Sequence, residues 1–404
     1  MSLKPRISHL LQRKSIAFFA SFIYLLANFL TGWPLLRYWN VSGGVFPDGR
    51  AILRMAECFH LYGFNVYSTA KVDDCHGYWY GSMLVRLLDF FRVGPSLSIP
   101  VGIFFLSLLS YSLVAVIWST VKLDIHRVYI LAGFLLAPPV LLLAHRGNFD
   151  TPILLLVILS IHLICRGQLF LANFLIILSA FFKFYTAPLL VLVWLLSDRS
   201  KKYLFLILVD LGAILILLGD LSRVTHFWNG DSFKQSFGLG ALTGAINETM
   251  TFQISGTLAK NLDLGLLFFS LLFLFIAKRN WKVELPAEYK RQFNYLGFLF
   301  FSTVSLVSFL LGSVDYRLLY LGFSLLFLSS IFKFSSGENF AIILLTILAL
   351  LLSFPSGKLN VYGDAAALAL AAINIHFLVP VLGKLVSEVI QKPKLYLQNR
   401  FFGP

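Results

Sequence analysis

Apolar runs recur from about residue 15 to residue 382, separated by short polar segments that carry most of the charge. A helix needs roughly 20 apolar residues to cross a bilayer core. The runs near 15–36, 96–121 and 293–311 reach that length. Shorter runs lie near 128–144, 152–164, 170–182, 187–196, 204–218, 262–277, 318–331, 340–354 and 365–382. Together they predict about twelve crossings and an all-α fold, a polytopic transmembrane helical bundle forming one domain over 1–404.

The polar stretch 37–95 has a different period. From Asp48 to Gly63, Ala51, Ile52, Met55, Phe59 and Tyr62 fall on one helical face, and Arg50, Arg54 and Glu57 fall opposite. Over 81–91, Met83, Leu84, Leu87, Leu88 and Phe91 share a face. Short amphipathic helices of this kind lie in the membrane interface. The basic positions assign the sides. Lys4, Arg6, Arg13 and Lys14 precede the first run, which reads as a retained span, since no small-residue cleavage site stands out. Arg199, Lys201 and Lys202, then Lys278, Arg279 and Lys282, and then Lys384, Lys392, Lys394 and Arg400 fall on the same side by crossing order. That side, with both termini, is expected to be cytoplasmic. The loop 37–95 and the loop near 220–261 are then outside. The second is glycine-rich over 238–244, and Asn40-Val41-Ser42 and Asn247-Glu248-Thr249 match the glycosylation acceptor pattern on that side.

Composition narrows the class. The 404 residues are 58% hydrophobic and only 13% charged, and the mean hydropathy is +0.81. A soluble domain is about a quarter charged, so a soluble enzyme is excluded. The net charge of +14 would suggest nucleic acid in a soluble chain. Here basic inner loops account for it, and no nucleic-acid partner is expected. Of three cysteines, Cys58 and Cys75 share the outer loop and are a possible disulfide in an oxidising compartment; two unrelated thiols are the alternative.

The candidate chemistry gathers on the outer side. Two short runs carry Arg146-Gly147-Asn148-Phe149-Asp150 and Lys183-Phe184-Tyr185-Thr186-Ala187-Pro188 at their outer ends, in a core region 146–188. Asp48 follows the first span, and Asp315-Tyr316-Arg317 lies between two late ones. Charged groups at membrane depth are costly, which makes them functional candidates. Each has a structural alternative. Asp48 after Pro47 suits a helix N-cap. Arg146 and Asp150 could pair across their turn, Lys183 could snorkel, and Asp315 with Arg317 could be an interface ion pair. Asp210, alone in its run, suits a helix–helix hydrogen bond. Several cations beside one carboxylate suit a lipid phosphate held by arginine and lysine, with the carboxylate as general base toward a hydroxyl. Glycoside hydrolysis would need two working carboxylates. His60, His76, His145 and His162 do not have metal-ligand spacing, so neither metal nor cofactor is expected.

These residues bear a family resemblance. Arg146-Gly147-Asn148-Phe149-Asp150, the turn Arg166-Gly167-Gln168 and Ala180-Phe181-Phe182-Lys183-Phe184-Tyr185 resemble the central region of the polyprenol-phosphate-mannose-dependent mannosyltransferases, multispan C-type glycosyltransferases. Asp48, Gly63-Phe64-Asn65-Val66-Tyr67 and Tyr78-Trp79-Tyr80 extend the likeness into the first outer loop. The sequence departs at Gly81-Ser82, where prolines are usual, and at Tyr316, where histidine is frequent. The resemblance implies an inverting hexosyltransferase, its sugar commonly mannose, with Asp48 as base. Lys183, Arg146 and Arg317 would hold the donor phosphate, and Asn148, Asp150, Tyr185 and Asp315 would shape the pocket. The partners implied are a polyprenyl-phosphate sugar and a lipid or glycan acceptor. The expected location is a bacterial inner membrane, with the endoplasmic reticulum as alternative. A transporter or flippase for a lipid-linked or anionic solute is the rival function, and a membrane scaffold is a third.

Overall fold

The structure is a computed structural model that describes residues 3–38, 46–63, 82–197, 201–224, 236–237, 242–243, 246, 256–277, 292–311, 313–314, 317–332, 336–353 and 359–401. Asp315, Cys75, the Tyr78-Trp79-Tyr80 stretch, both glycosylation patterns and most of the 238–244 loop lie outside the described residues.

The first helix, α1, runs Leu3–Leu30, and a short α2 (Pro34–Tyr38) follows. The expected first span over 15–36 is therefore broken before its end. Trp33 takes a positive φ of 56°, and Pro34 has no N–H with which to continue α1. Next come the two amphipathic helices, α3 (Pro47–Tyr62) and α4 (Ser82–Phe90). Long helix α5 (Ser98–Thr120) leads into α6 (Asp124–Leu136) and α7 (Pro138–Arg146), which are bent by 58° at their junction. Pro138 and Pro139 cause the bend, because neither supplies an amide to the preceding turn.

Two short helices, α8 (Asp150–Cys165) and α9 (Leu169–Phe182), form a hairpin and are followed by α10 (Leu189–Leu196) and α11 (Lys201–Val224). The later helices are α12 (Gly256–Ala277), α13 (Phe293–Leu311), α14 (Leu318–Ile331), α15 (Ser336–Leu352) and α16 (Leu359–Phe401). The one sheet among the described residues is a two-residue antiparallel ladder of β1 (Ser236–Phe237) and β2 (Ser313–Val314). By length and apolar content, four helices among the described residues are able to cross a membrane, or five if the bent pair counts as one span. The architecture is all-helical and consistent with a membrane protein.

Polar contacts mark the two ends of the bundle. Arg13, early in α1, pairs with Asp124, just past the end of α5, and Arg127 donates to the same carboxylate at 2.6 Å. Asn294 at the start of α13 donates to the Ser119 carbonyl at 3.2 Å. The opposite end carries Asp48, Asn148, Lys183 and Arg317. Between the ends lies an apolar core in which Phe298, Phe301, Phe323 and Phe327 are fully buried and Phe301 stacks on Phe327 at 5.7 Å. Asp210 sits within this apolar region and is wholly buried. It accepts from Asn173 at 2.6 Å and from the Trp194 indole at 2.5 Å. It ties α9, α10 and α11 together, the helix–helix role its isolation suggested.

In the amphipathic pair, Ile52, Met55 and Leu84 of the expected faces are buried and Arg50, Arg54 and Glu57 are exposed, but the buried stripe is rotated toward Leu53, Ala56 and Val85. In α3 the buried apolar residues are Ile52, Leu53, Met55, Ala56 and Cys58, whereas Tyr62 is exposed. In α4, Leu84 and Val85 are buried, while Leu87, Phe90 and Phe91 remain exposed. The two helices pack on each other and on Phe105 of α5, so the buried faces are those that meet. The apolar residues left outside suit a membrane interface. At the N-terminus of α4, Ser82 donates to Asp220 through its amide at 3.0 Å and its hydroxyl at 2.6 Å. That carboxylate, from the end of α11, caps α4 from across the fold. Cys58 is disulfide-bonded and Cys165 is free.

Candidate functional site

The site forms where the start of α3 meets the turn between α7 and α8. Gly147 ends α7 in a left-handed conformation, φ 56°, with its amide on the Ala144 carbonyl. A glycine suits that cap, and here it also makes room, since a Cβ on Gly147 would lie 2.8 Å from the Phe46 Cβ. Gly49 approaches the same turn so closely that a Cβ on it would lie 2.8 Å from the Gly147 carbonyl oxygen. Phe46 itself is buried with a positive φ of 48° and stacks on Phe29 at 4.9 Å. A non-glycine residue in that region is held there by its surroundings. Phe46 thus pins the start of α3, and Asp48 is set two residues further on, against Arg146.

A period of two then sorts the side chains of both loops. In Asn148-Phe149-Asp150 and Phe182-Lys183-Phe184-Tyr185, the phenylalanines pack toward α3, α4 and α5. Phe149 meets Phe105 edge-on at 5.0 Å. Asn148, Asp150, Lys183 and Tyr185 turn the other way and join into one network. Arg146 grips Asp48 with two prongs, Nε to Oδ2 at 2.8 Å and Nη2 to Oδ1 at 2.7 Å. Asn148 donates to Asp48 Oδ2 at 2.5 Å and accepts from Lys183 Nζ at 2.8 Å. The Asn148 carbonyl oxygen also accepts from the Asp150 amide at 2.9 Å, a local turn that opens α8. Lys183 reaches Asp150 Oδ2 at 3.0 Å, and the Tyr185 hydroxyl donates to Asp150 Oδ1. Arg317, at the start of α14, contacts Asp150 Oδ2 at 3.5 Å and lies over the Tyr185 ring at 4.5 Å.

The structure therefore brings together Asp48, Arg146, Asn148, Asp150, Lys183, Tyr185 and Arg317. The Asp48 side chain does not serve as the cap of α3, because it lies inside the first turn and turns to Arg146 and Asn148. Nor do Arg146 and Asp150 pair across their own turn; each is bound to a residue distant in sequence. Lys183 does not snorkel, since its side chain is 6% exposed and its ammonium points inward.

Exposure divides the network. Asp150 is 1% exposed, whereas the side chains of Asp48, Arg317 and Arg146 are 16%, 17% and 29% exposed. Three cations against two carboxylates leave one net positive charge among the described residues of the site. No group of three His, Cys, Asp or Glu among the described residues is placed to hold a metal ion.

Sequence reasoning missed Tyr320. Its hydroxyl lies 3.0 Å from that of Tyr185 and donates to the Asp150 main-chain oxygen at 3.2 Å. The signal was present: a tyrosine within the apolar run 318–331, one turn after Arg317, needs a partner for its hydroxyl. Comparison with family models, curated proteins and solved structures finds no match to this chain.

Proposed function

We propose that the chain is an integral-membrane, inverting glycosyltransferase that crosses the bilayer about twelve times in a C-type-like arrangement. It would move a hexose, mannose first among candidates, from a polyprenyl phosphate to a hydroxyl of a lipid or glycan, on the outer or luminal face. One observation supports this above the rest. Arg146 and Arg317, the two more exposed cations, flank the same network as Asp48, the more exposed of its two carboxylates. A phosphate leaving group needs positive charge and little acid help, and an attacking hydroxyl needs one base.

The roles follow from the partners. Asp150 is buried beneath Lys183, Tyr185 and Arg317, so it fixes the cations and is closed to substrate. Lys183, bonded to Asn148 and Asp150, adds positive potential to the phosphate site. Arg146 offers the two-pronged geometry that matches phosphate as well as carboxylate. A donor phosphate drawing Arg146 away from Asp48 would leave that carboxylate bound by Asn148, with an oxygen free to meet the acceptor hydroxyl. The acceptor O–H proton passes to Asp48 as the oxygen attacks the anomeric carbon. The bond from carbon to phosphate oxygen breaks on the opposite face, and its electron pair leaves with the phosphate.

The test is transfer in reconstituted vesicles with a panel of radiolabelled polyprenyl-phosphate sugars and membrane lipid extract. Wild type is expected to move label into a new product, and Asp48→Asn to reduce turnover by about 10³-fold or more while staying folded. Label that crosses the bilayer unaltered would instead make the protein a transporter.

A further inference from the structure

The buried side of the network contains an arrangement that the proposed chemistry does not by itself require. Tyr185 has one hydroxyl proton, and it is given to Asp150. In the 3.0 Å contact with Tyr320, Tyr185 must therefore accept. The Tyr320 proton is shared between the Tyr185 hydroxyl and the Asp150 main-chain oxygen. Tyr320 is 2% exposed, meets Tyr185 edge-on at 5.9 Å and stacks on Phe301 at 6.2 Å, so its own ring is held by the core.

Arg317 leans on this pair. Among the contacts between described residues, its bond to Asp150 is long, 3.5 Å, while its guanidinium sits 4.5 Å over the Tyr185 ring. A long hydrogen bond locates a guanidinium poorly; a ring face locates it well, provided the ring is fixed. The ring of Tyr185 is fixed at its hydroxyl by Asp150 and Tyr320. Tyr320 and Arg317 also open the same helix, so one turn of α14 carries both the cation and the group that aims its support.

We propose that Tyr320 is a positioning residue for the anionic part of the substrate. Its hydroxyl holds Tyr185, Tyr185 holds Arg317, and Arg317 meets the lipid phosphate. Tyr320 then governs donor affinity and leaves proton removal at Asp48 unchanged. The inference rests on the glycosyl-transfer reading, and its test separates the two.

The measurement uses the full-length protein in lipid vesicles, with undecaprenyl phosphate and neutral undecaprenol as binding probes, alongside transfer kinetics. Tyr320→Phe keeps the ring and removes the hydroxyl. Its preference for the phosphorylated lipid, and its donor KM, should each worsen by about tenfold, the scale of one lost buried hydrogen bond. Its kcat should stay within about twofold, and acceptor KM and the pH–rate profile should not move. Combined with Arg317→Lys, the tyrosine change should add little, because both act through one contact. Tyr185→Phe removes that bond together with the one to Asp150, so its phosphate preference should fall at least as far, which gives a second readout if Tyr320→Phe folds poorly. An unchanged phosphate preference, a loss confined to kcat, or simple additivity with Arg317→Lys would each overturn the role of Tyr320 while transfer by wild type stood. Wild type with neither phosphate preference nor transfer would overturn the glycosyl-transfer reading and this inference with it.

Discussion

Asp48 and Asp150 are the two carboxylates of the network, and burial separates their roles. Asp150 accepts from Lys183, Tyr185 and Arg317 and is closed to solvent, whereas Asp48 keeps an open side. Breaking a buried pair leaves an uncompensated charge, which costs about 3–5 kcal/mol. Lys183→Met should therefore lower stability by that order, read as a drop in the unfolding midpoint in detergent. Lys183→Met with Asp150→Asn should recover part of the loss, and an unchanged midpoint in the single variant would contradict the buried pairing. Arg146→Lys keeps the charge and removes the fork. The expected outcome is a donor KM raised by about tenfold with the midpoint nearly unchanged, because the Asp48–Arg146 pair is partly exposed and contributes little to stability.

At the scale of elements, the site depends on how closely α3 approaches the α7–α8 turn. Gly49→Ala places a methyl group 2.8 Å from the Gly147 carbonyl oxygen, a backbone atom with little freedom to move. The start of α3 must then shift by several tenths of an ångström, and Asp48 with it. Misplacement on this scale costs activity more than stability. Gly49→Ala should lose about 10²-fold in kcat/KM while retaining its helix content, as measured by circular dichroism. Phe46→Ala empties a fully buried aromatic site and should destabilise by about 3–5 kcal/mol. The phenylalanines of the two loops follow the same logic. They anchor the loops to α3, α4 and α5, so each polar neighbour is directed into the network by backbone alternation.

For the whole molecule, the polar contacts at Arg13, Asp124 and Ser119 lie at the end opposite the candidate site. With a membrane around the bundle, Ser96 and Lys122, both exposed and at opposite ends of α5, should fall on opposite sides. On a Cys165→Ser background, Ser96→Cys should react with an impermeant maleimide added outside sealed cells, and Lys122→Cys only after permeabilisation. Labelling of both from one side would refute the crossing order. The β1–β2 ladder adds a restraint at the site end by joining residues 236–237 to the strand that precedes Arg317.

The sequence by itself determined the all-helical class, the two amphipathic helices and most members of the site. Hydrophobic period and length report which face of an element is buried, and charged residues set between apolar runs declare themselves one by one. The tertiary structure alone decided the pairings. Asp48 binds Arg146 across 98 residues and Arg317 meets Asp150 across 167, and no local pattern encodes which distant loop a carboxylate will face. It also decided how far the inward stripe of α3 and α4 rotates, bringing in Leu53, Ala56 and Val85, since that choice belongs to the surface they meet. Tyr320 escaped a reading based on charge because its contribution is a neutral hydroxyl in an apolar run. Its importance arises only when Tyr185 is folded against it.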